Sequence, residues 1–274
     1  MKHTALAIAL VAISLQGFAQ EQTVRYFSHR GGRQEFDENT LSAFEASYQA
    51  GYRGFETDVR ITKDGELVIL HDPDLARTTD SSGKVEEMTA EQIRKANTKG
   101  GHKVLFLDEL MDWIDSKGDV TYVEFEFKTT PKQINPEIRF GDYCDMLYER
   151  VMRNKPSGAT YLFTSGHYDA LRYLQQSHPD AQMLVITGKP CNDETIDLCR
   201  ALGLFRLGAT INGTSRAAVK KAHEKGIVVS LWPGNSVEDA VLGAYLGADF
   251  LCTDVPVAVK TALTEKFPHI KAIY

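Results

Sequence analysis

The sequence predicts an α/β protein whose parallel strands close into a (β/α)8 barrel of the TIM type. Short apolar strands alternate with amphipathic helices along most of the 274 residues. The number of these units suits a closed barrel better than an open, doubly wound sheet, which is the alternative fold. One tight hairpin, followed by a polar insertion, is the only clear break in the alternation. We therefore expect helices outside a parallel barrel.

The strands are assigned to apolar runs that are bounded by turn residues. The first is predicted at 24–28, and a helix over 40–50 follows, with Thr40 as its N-terminal cap and Gly51 as its end. The later strands are predicted at 54–59, 67–70, 121–127, 161–164, 183–187, 208–211, 227–231 and 250–252. Helices fit between most of these strands, as a parallel sheet requires.

The hairpin is predicted where only Lys63, Asp64 and Gly65 separate two apolar runs. No helix fits there, so the two strands must be antiparallel, and Asp-Gly is a strong hairpin signal. A two-residue turn pairs Asp58 with His71, and a three-residue turn shifts this pairing by one position. Residues 73–101 then form an insertion with a weak helical signal at 90–96. This insertion is either a small cap that shapes the substrate entrance or a solvated excursion.

The N-terminus has the pattern of a signal peptide, predicted at residues 1–19, which leaves 20–274 as the mature barrel domain. Lys2 and His3 precede an apolar run at 5–15, and Gly17 and Ala19 supply the small residues of a cleavage site. The run is too short to span a bilayer, which needs about 20 apolar residues. We expect an exported protein, periplasmic or secreted, with no membrane span in the mature chain.

Composition excludes some classes of function. The hydrophobic content of 43% predicts an ordered domain, and the net charge of −6 argues against non-specific nucleic-acid binding. The cysteines permit three full disulfide pairings, although we interpret them as buried apolar residues, and their spacing does not indicate a zinc site. They are Cys144, Cys191, Cys199 and Cys252.

Polar side chains cluster at the predicted carboxyl ends of the early strands, where the active sites of such barrels lie. They are His29, Arg30, Glu56, Asp58, His71, Glu124, Glu126 and Lys128. An i, i+2 spacing puts the carboxylates of each strand on one face. Buried carboxylates are costly unless a cation pairs with them, and oxygen ligands suit Ca²⁺ or Mg²⁺. The two histidines would supply a general acid and a general base.

These motifs resemble the glycerophosphodiester phosphodiesterase family. The matching segments are His29-Arg30-Gly31, Glu38-Asn39-Thr40, Ala43-Phe44, Glu56-Thr57-Asp58-Val59, Thr62-Lys63-Asp64-Gly65, His71-Asp72, Arg77-Thr78-Thr79, Glu126-Phe127-Lys128, Trp232, Asn235, Gly247-Ala248-Asp249 and Thr253-Asp254-Val255-Pro256. The resemblance covers nearly the whole mature chain and is most specific at its N-terminal end. Asp37 departs from it, because the family usually has proline there.

The resemblance implies a role for each matching residue. Glu56, Asp58 and Glu126 would hold one divalent cation, Ca²⁺ or Mg²⁺; Glu124 lies outside the motif. His29 and His71 would be the general base and general acid. Arg30 and Lys128 would neutralise the phosphate. Trp232 would line the pocket, and a buried core aromatic is nearly as consistent with its sequence context.

The implied reaction is hydrolysis of a small glycerophosphodiester to glycerol 3-phosphate and an alcohol. The hydroxyl next to the ester would attack phosphorus and form a cyclic phosphate, or water would attack directly; the sequence does not separate the two. Related barrels act on lysolipids or sphingolipids as phospholipase D-like enzymes, and this activity is the first alternative. A periplasmic binding protein without turnover is the second. The sequence does not indicate which alcohol leaves or the oligomeric state.

Overall fold

A computed structural model describes residues 23–274, so the predicted signal peptide, residues 1–19, lies outside the described residues. The strands are β1 (Thr23–His29), β2 (Gly54–Ile61), β3 (Leu67–Ile69), β4 (Tyr122–Phe127), β5 (Thr160–Ser165), β6 (Met183–Pro190), β7 (Arg206–Thr210), β8 (Val228–Gly234), β9 (Phe250–Thr253) and β10 (Lys271–Ile273). Eight of these form a closed parallel barrel, because β1 pairs with both β9 and β2. The predicted barrel is confirmed.

Helices follow the barrel strands and cover the barrel from outside. They are α1 (Leu41–Gln49), α2 (Ala90–Ile93), α3 (Leu107–Lys117), α4 (Phe140–Met152), α5 (Tyr168–Ser177), α6 (Asp193–Ala201), α7 (Arg216–Glu224), α8 (Val237–Leu246) and α9 (Pro256–Lys266). Thr40 caps α1 as predicted, since its side-chain oxygen accepts a hydrogen bond from the amide of Ala43. Within residues 23–274, no helix has the length and apolar character needed to cross a membrane.

The hairpin between β2 and β3 has the longer of the two turns considered. Val59 pairs with Ile69 and Ile61 with Leu67, so Asp58 lies opposite Leu70 rather than His71. The hydroxyl of Thr62 stabilises this turn: it accepts a hydrogen bond from the amide of Glu66 at 2.9 Å. The pairing of Asp58 with His71 expected from a two-residue turn is therefore wrong by one position.

The insertion at 73–101 is a packed lobe. It contains two short 3₁₀ turns, Leu75–Arg77 and Val85–Glu87, and the short helix α2, which is less helix than predicted at 90–96. Its apolar side chains bury one another together with residues of β3 and the segment before α3. This second core comprises Val68, Leu70, Leu75, Val85, Ala90, Ile93, Ala96, Val104 and Phe106. A packed core argues against the interpretation as a solvated excursion.

Apolar side chains fill the half of the barrel interior nearer the amino ends of the strands. The polar side chains of the site lie in the other half, nearer the carboxyl ends. Phe27, Tyr122, Leu162 and Leu184 fill the interior as one cluster. Gly54 leaves room for them, since a side chain there would come within 2.9 Å of the Phe27 Cβ. Residues two positions further along the same strands therefore also face inward, above this plug.

All four cysteines are free thiols and all are buried. The interpretation as buried residues is confirmed, and the alternative of disulfide pairing is not. Cys144, Cys191 and Cys199 belong to the main core between barrel and helices, whereas Cys252 faces the barrel interior.

Candidate active site

The register of the first barrel strands assembles the predicted site. His29 of β1 pairs with Glu56 of β2, and Asp58 of β2 pairs with Glu126 of β4. His71 follows β3, which the hairpin folds back against β2. The parallel register thus brings residues from three separate parts of the sequence to one end of the barrel, the carboxyl end of its strands.

The carboxylates of Glu56, Asp58 and Glu126 converge on one point. Each presents an oxygen that lies within 4.8 Å of the other two. Glu56 is 3% exposed and Asp58 is fully buried, yet Oε1 of Glu56 and Oδ1 of Asp58 have no hydrogen-bond partner. Oδ1 of Asp58 does lie 3.4 Å from the Lys128 Nζ, but buried carboxylate oxygens without hydrogen bonds are costly, and a hard divalent cation would satisfy them. The residues present therefore fit such an ion.

Two cations of the protein flank this cluster. The Arg30 Nε lies 3.0 Å from Asp58, and the Lys128 Nζ lies 3.4 Å from Asp58 and 2.9 Å from Glu126. Against the effect of burial, Arg30 and Lys128 lower the pKa of Asp58. Burial and repulsion from Asp58 raise the pKa of Glu56 well above its ordinary value. Without a further cation, the cluster therefore favours a proton on Glu56.

His29 is held in one orientation by a residue to which the sequence analysis assigned no role. Its Nδ1 lies 2.5 Å from Oδ1 of Asp254, whose other oxygen accepts a hydrogen bond from Arg33 at 2.8 Å. These two partners lower the pKa of Asp254, although burial opposes them. An ionised Asp254 accepts a hydrogen bond from Nδ1–H and leaves the lone pair of Nε2 free toward the cavity. Burial lowers the pKa of His29, which favours the neutral ring.

His71 is held by its neighbour in the sequence and, through it, by the insertion. Its Nδ1 lies 2.6 Å from Asp72. Asp72 also accepts a hydrogen bond from Arg77, and Arg77 in turn pairs with Glu38 at 2.7 Å. Because Arg77 belongs to the insertion, that lobe supports the orientation of His71. Burial lowers the pKa of His71, and the charge of Asp58 opposes this shift.

Asp37, at the position where the family usually has proline, anchors the other end of the insertion. Its carboxylate accepts hydrogen bonds from the hydroxyl of Thr98 and from Nδ1 of His102, the latter at 2.9 Å. The departure from the family pattern thus supplies a bond between the segment after β1 and the lobe beside His71.

One cavity unites these side chains. His29, Arg30, Glu56, His71, Glu126, Lys128 and Trp232 all line it. Leu184, Ile186 and Trp232 form the apolar wall of this cavity. A larger surface cleft, about 630 Å³, lies among residues of α7 and α8 and contains none of the predicted site residues. The predicted set, with Asp58 beneath the cavity, is therefore a single site.

Glu124 lies on the same face as Glu126 and also lines this cavity. Its carboxyl group accepts a hydrogen bond from the hydroxyl of Tyr122. Burial raises the pKa of Glu124 to about 7. It is absent from the three-carboxylate cluster, as its exclusion from the predicted ligands requires.

The contact between Asp254 and His29 leads to a testable expectation. An Asp254→Asn variant should lose about 10–100-fold in kcat, because a histidine without its carboxylate partner loses its fixed tautomer. Asp254 raises the pKa of His29, so its removal should move the acidic limb of the pH–rate profile to lower pH. Asp145→Asn, which removes the carboxylate partner of His178 outside the cavity, is the matched control. An unshifted acidic limb would contradict the role of Asp254.

A closed parallel barrel that gathers histidines and carboxylates at the carboxyl ends of its strands has the arrangement of an enzyme active site. Residues 29–258 match the model of the glycerophosphoryl diester phosphodiesterase family. The chain belongs to this family. The expected family membership and enzyme class are confirmed.

Individual relatives agree over most of the chain. The YqiK protein of Bacillus subtilis is 30% identical over 241 residues, which cover 85% of this chain and 95% of that protein. The glycerophosphodiester phosphodiesterase of Bacillus altitudinis is 25% identical, again over 85% of this chain and 95% of that protein. An Oleispira antarctica phosphodiesterase, solved with its product sn-glycerol-3-phosphate, superposes with a TM-score of 0.79 at 20% identity, over 88% of this chain and 97% of that one. At this identity, the superposition supports the fold.

Proposed function

We propose that this protein hydrolyses glycerophosphodiesters to glycerol 3-phosphate and an alcohol, with a divalent cation and two histidines. The observation that carries the proposal is the single cavity in which His29 and His71 face the carboxylates of Glu56, Asp58 and Glu126. The sn-glycerol-3-phosphate bound to the related Oleispira antarctica enzyme supports glycerol 3-phosphate as the product.

Glu56, Asp58 and Glu126 would hold the cation, Ca²⁺ or Mg²⁺. When bound, the cation polarises a phosphoryl oxygen and offsets negative charge that builds on the phosphate. Arg30 and Lys128 lie within 3.4 Å of the same carboxylates, so their charges reach the same region. A diester anion repels nucleophiles, and these positive charges together would offset that repulsion.

His29 is the better candidate for the general base. It is buried, its lowered pKa favours the neutral ring, and Asp254 directs the lone pair of Nε2 into the cavity. It would take the proton of the attacking hydroxyl, whether that hydroxyl belongs to the glycerol or to water. Asp254 would stabilise the imidazolium that results.

His71 is the better candidate for the general acid. Its side chain is 32% exposed, compared with 12% for His29, so it exchanges protons with solvent more readily. Burial lowers the pKa of His71, and the charge of Asp58 and the hydrogen bond to its carboxylate partner, Asp72, oppose that shift. It would protonate the departing alcohol, which leaves on the side of the cavity nearest the insertion.

A panel of substrates tests this proposal. Purified protein is incubated with glycerophosphocholine, glycerophosphoethanolamine, glycerophosphoinositol and a lysophospholipid, and glycerol 3-phosphate and lysophosphatidate are measured separately. We expect release of glycerol 3-phosphate from at least one water-soluble diester. The lysophospholipid is included because the apolar wall of Leu184, Ile186 and Trp232 could contact its acyl chain. Release of lysophosphatidate alone would replace the proposal by the phospholipase D-like alternative, and binding without any product would replace it by a binding role.

A further inference from the structure

The thiol of Cys252 lies beside two of the residues assigned to the reaction. Its Sγ, a ring nitrogen of His29 and a carboxylate oxygen of Glu56 all lie within 4.8 Å of one another. The residue is 5% exposed and lines the active-site cavity. Cys252 is the one cysteine within residues 23–274 that reaches this cavity, and the reaction proposed above gives it no role.

The two partners of the thiol have free ligand atoms. His29 uses Nδ1 for Asp254, and its Nε2 faces Oε2 of Glu56 at 3.7 Å. Oε1 of Glu56 is buried without a hydrogen-bond partner, whereas Oε2 accepts a hydrogen bond from the amide of Arg30 at 3.1 Å, so Glu56 would be shared between this site and the three-carboxylate cluster. A histidine whose second nitrogen donates to a carboxylate is the usual arrangement of a metal-bound histidine. Asp254 thus prepares His29 as a ligand as well as a base.

The chemistry of this triplet differs from that of the three-carboxylate cluster. Sulfur and imidazole ligands favour zinc, whereas three carboxylates suit Ca²⁺ or Mg²⁺. Tetrahedral zinc with bonds of about 2.0–2.3 Å separates its ligand atoms by about 3.3–3.8 Å. The distance of 3.7 Å between His29 and Glu56 already falls in this interval. The Cys252 Sγ lies within 4.8 Å of both other ligand atoms, so the site would have to contract by about 1 Å to bind the ion.

We propose that Cys252, His29 and Glu56 form a second cation site, specific for zinc or another thiophilic divalent ion, which inhibits the enzyme when occupied. Binding replaces the thiol proton: Cys252–SH and Zn²⁺ give a Cys252–S–Zn bond and one released H⁺. The ion also takes the lone pair of His29 Nε2, so His29 no longer accepts the proton of the nucleophile. The inhibition rests on the proposed function, whereas the metal site does not.

Cobalt tests the site without reference to activity. The full-length mature protein is stripped with chelator, saturated with Mg²⁺ to fill the carboxylate cluster, and titrated with Co²⁺. We expect a near-ultraviolet thiolate-to-cobalt charge-transfer band that Zn²⁺ abolishes by competition. Cys252→Ser should lack the band, and Cys144→Ser, which removes a thiol from the main core, should retain it. A band that persists in Cys252→Ser, or its absence in the unmodified protein, would overturn the site.

Inhibition is measured in parallel, each variant being compared with its own rate in Mg²⁺ alone. The zinc concentration for half inhibition should rise about tenfold or more in Cys252→Ser and stay unchanged in Cys144→Ser. Equal inhibition of all three proteins would place zinc in the carboxylate cluster and overturn the inhibitory role. If no diester is hydrolysed at all, the cobalt spectra still decide whether the site exists.

Discussion

A His29→Ala variant is expected to lose about 10²–10⁴ in kcat, the usual contribution of a positioned general base. His29 is nearly buried, its Nδ1 donates to Asp254 at 2.5 Å, and its Nε2 faces the carboxylate cluster. No other histidine of the described chain apart from His71 lines this cavity, so none replaces it. The measurement is the rate of glycerol 3-phosphate release at saturating substrate and metal.

The matched control is His167→Ala. His167 is exposed at the start of α5, its side chain makes no capping hydrogen bond, and it lies outside the cavity. Its removal should leave kcat unchanged, and the circular dichroism of both variants should equal that of the parent protein. A His29→Ala enzyme with more than about a tenth of the parent rate would contradict a role as general base.

A Glu56→Gln variant is expected to lose about 10²–10³ in kcat/KM while its metal-free fold becomes more stable. Glutamine has the shape of the protonated carboxyl but lacks the negative charge that binds the cation and that Asp58 repels. The rate falls because the variant loses a ligand of the cation that would offset negative charge on the phosphate in the transition state. The gain in stability follows because burial and Asp58 raise the pKa of Glu56.

The sign of this stability difference depends on pH. A carboxyl whose pKa rises on folding binds more protons in the folded state, so the free energy of unfolding falls as pH rises above 4.5, the ordinary value. Glu56→Gln removes this pH-dependent loss of stability. In urea unfolding with chelator present, the free energy of unfolding of the variant should exceed that of the parent protein by more as pH approaches neutral. Added Mg²⁺ or Ca²⁺ should raise the Tm of the parent protein and of Glu124→Gln, but not of Glu56→Gln. A metal-dependent rise in Glu56→Gln would contradict the ligand assignment.

Much of the fold could be predicted from local patterns in the sequence. The β-α alternation fixes the parallel barrel, and period-2 spacing fixes which side chains of β2 and β4 face inward. The turn after β2 was ambiguous by one residue, because Lys63-Asp64-Gly65 permits two turn lengths and the hydroxyl of Thr62 decides between them. Strand β10 was not predicted, since it has only three residues and pairs only with the first three residues of β1, Thr23 to Arg25.

The candidate site was predictable where its residues follow one another along a strand or a hairpin. The partner of His29 was not, because Asp254 meets His29 across 225 residues of sequence. Its place directly after the last barrel strand, two positions beyond Cys252, was a usable signal, since that spacing puts both on the inner face. The contact of Cys252 with His29 and Glu56 was not predictable either. The spacing between cysteines can indicate a site made of cysteines alone, but not a site that one cysteine shares with other residue types.

If the carboxylates of Glu56, Asp58 and Glu126 bind a cation that the reaction requires, the rate of glycerol 3-phosphate release must depend on that metal. We would measure this rate with chelator-treated protein as Mg²⁺ or Ca²⁺ is returned in steps. We expect a negligible rate in chelator and a saturable rise with one of the two metals. A full rate in chelator, or no release at any metal concentration from folded protein, would contradict this requirement.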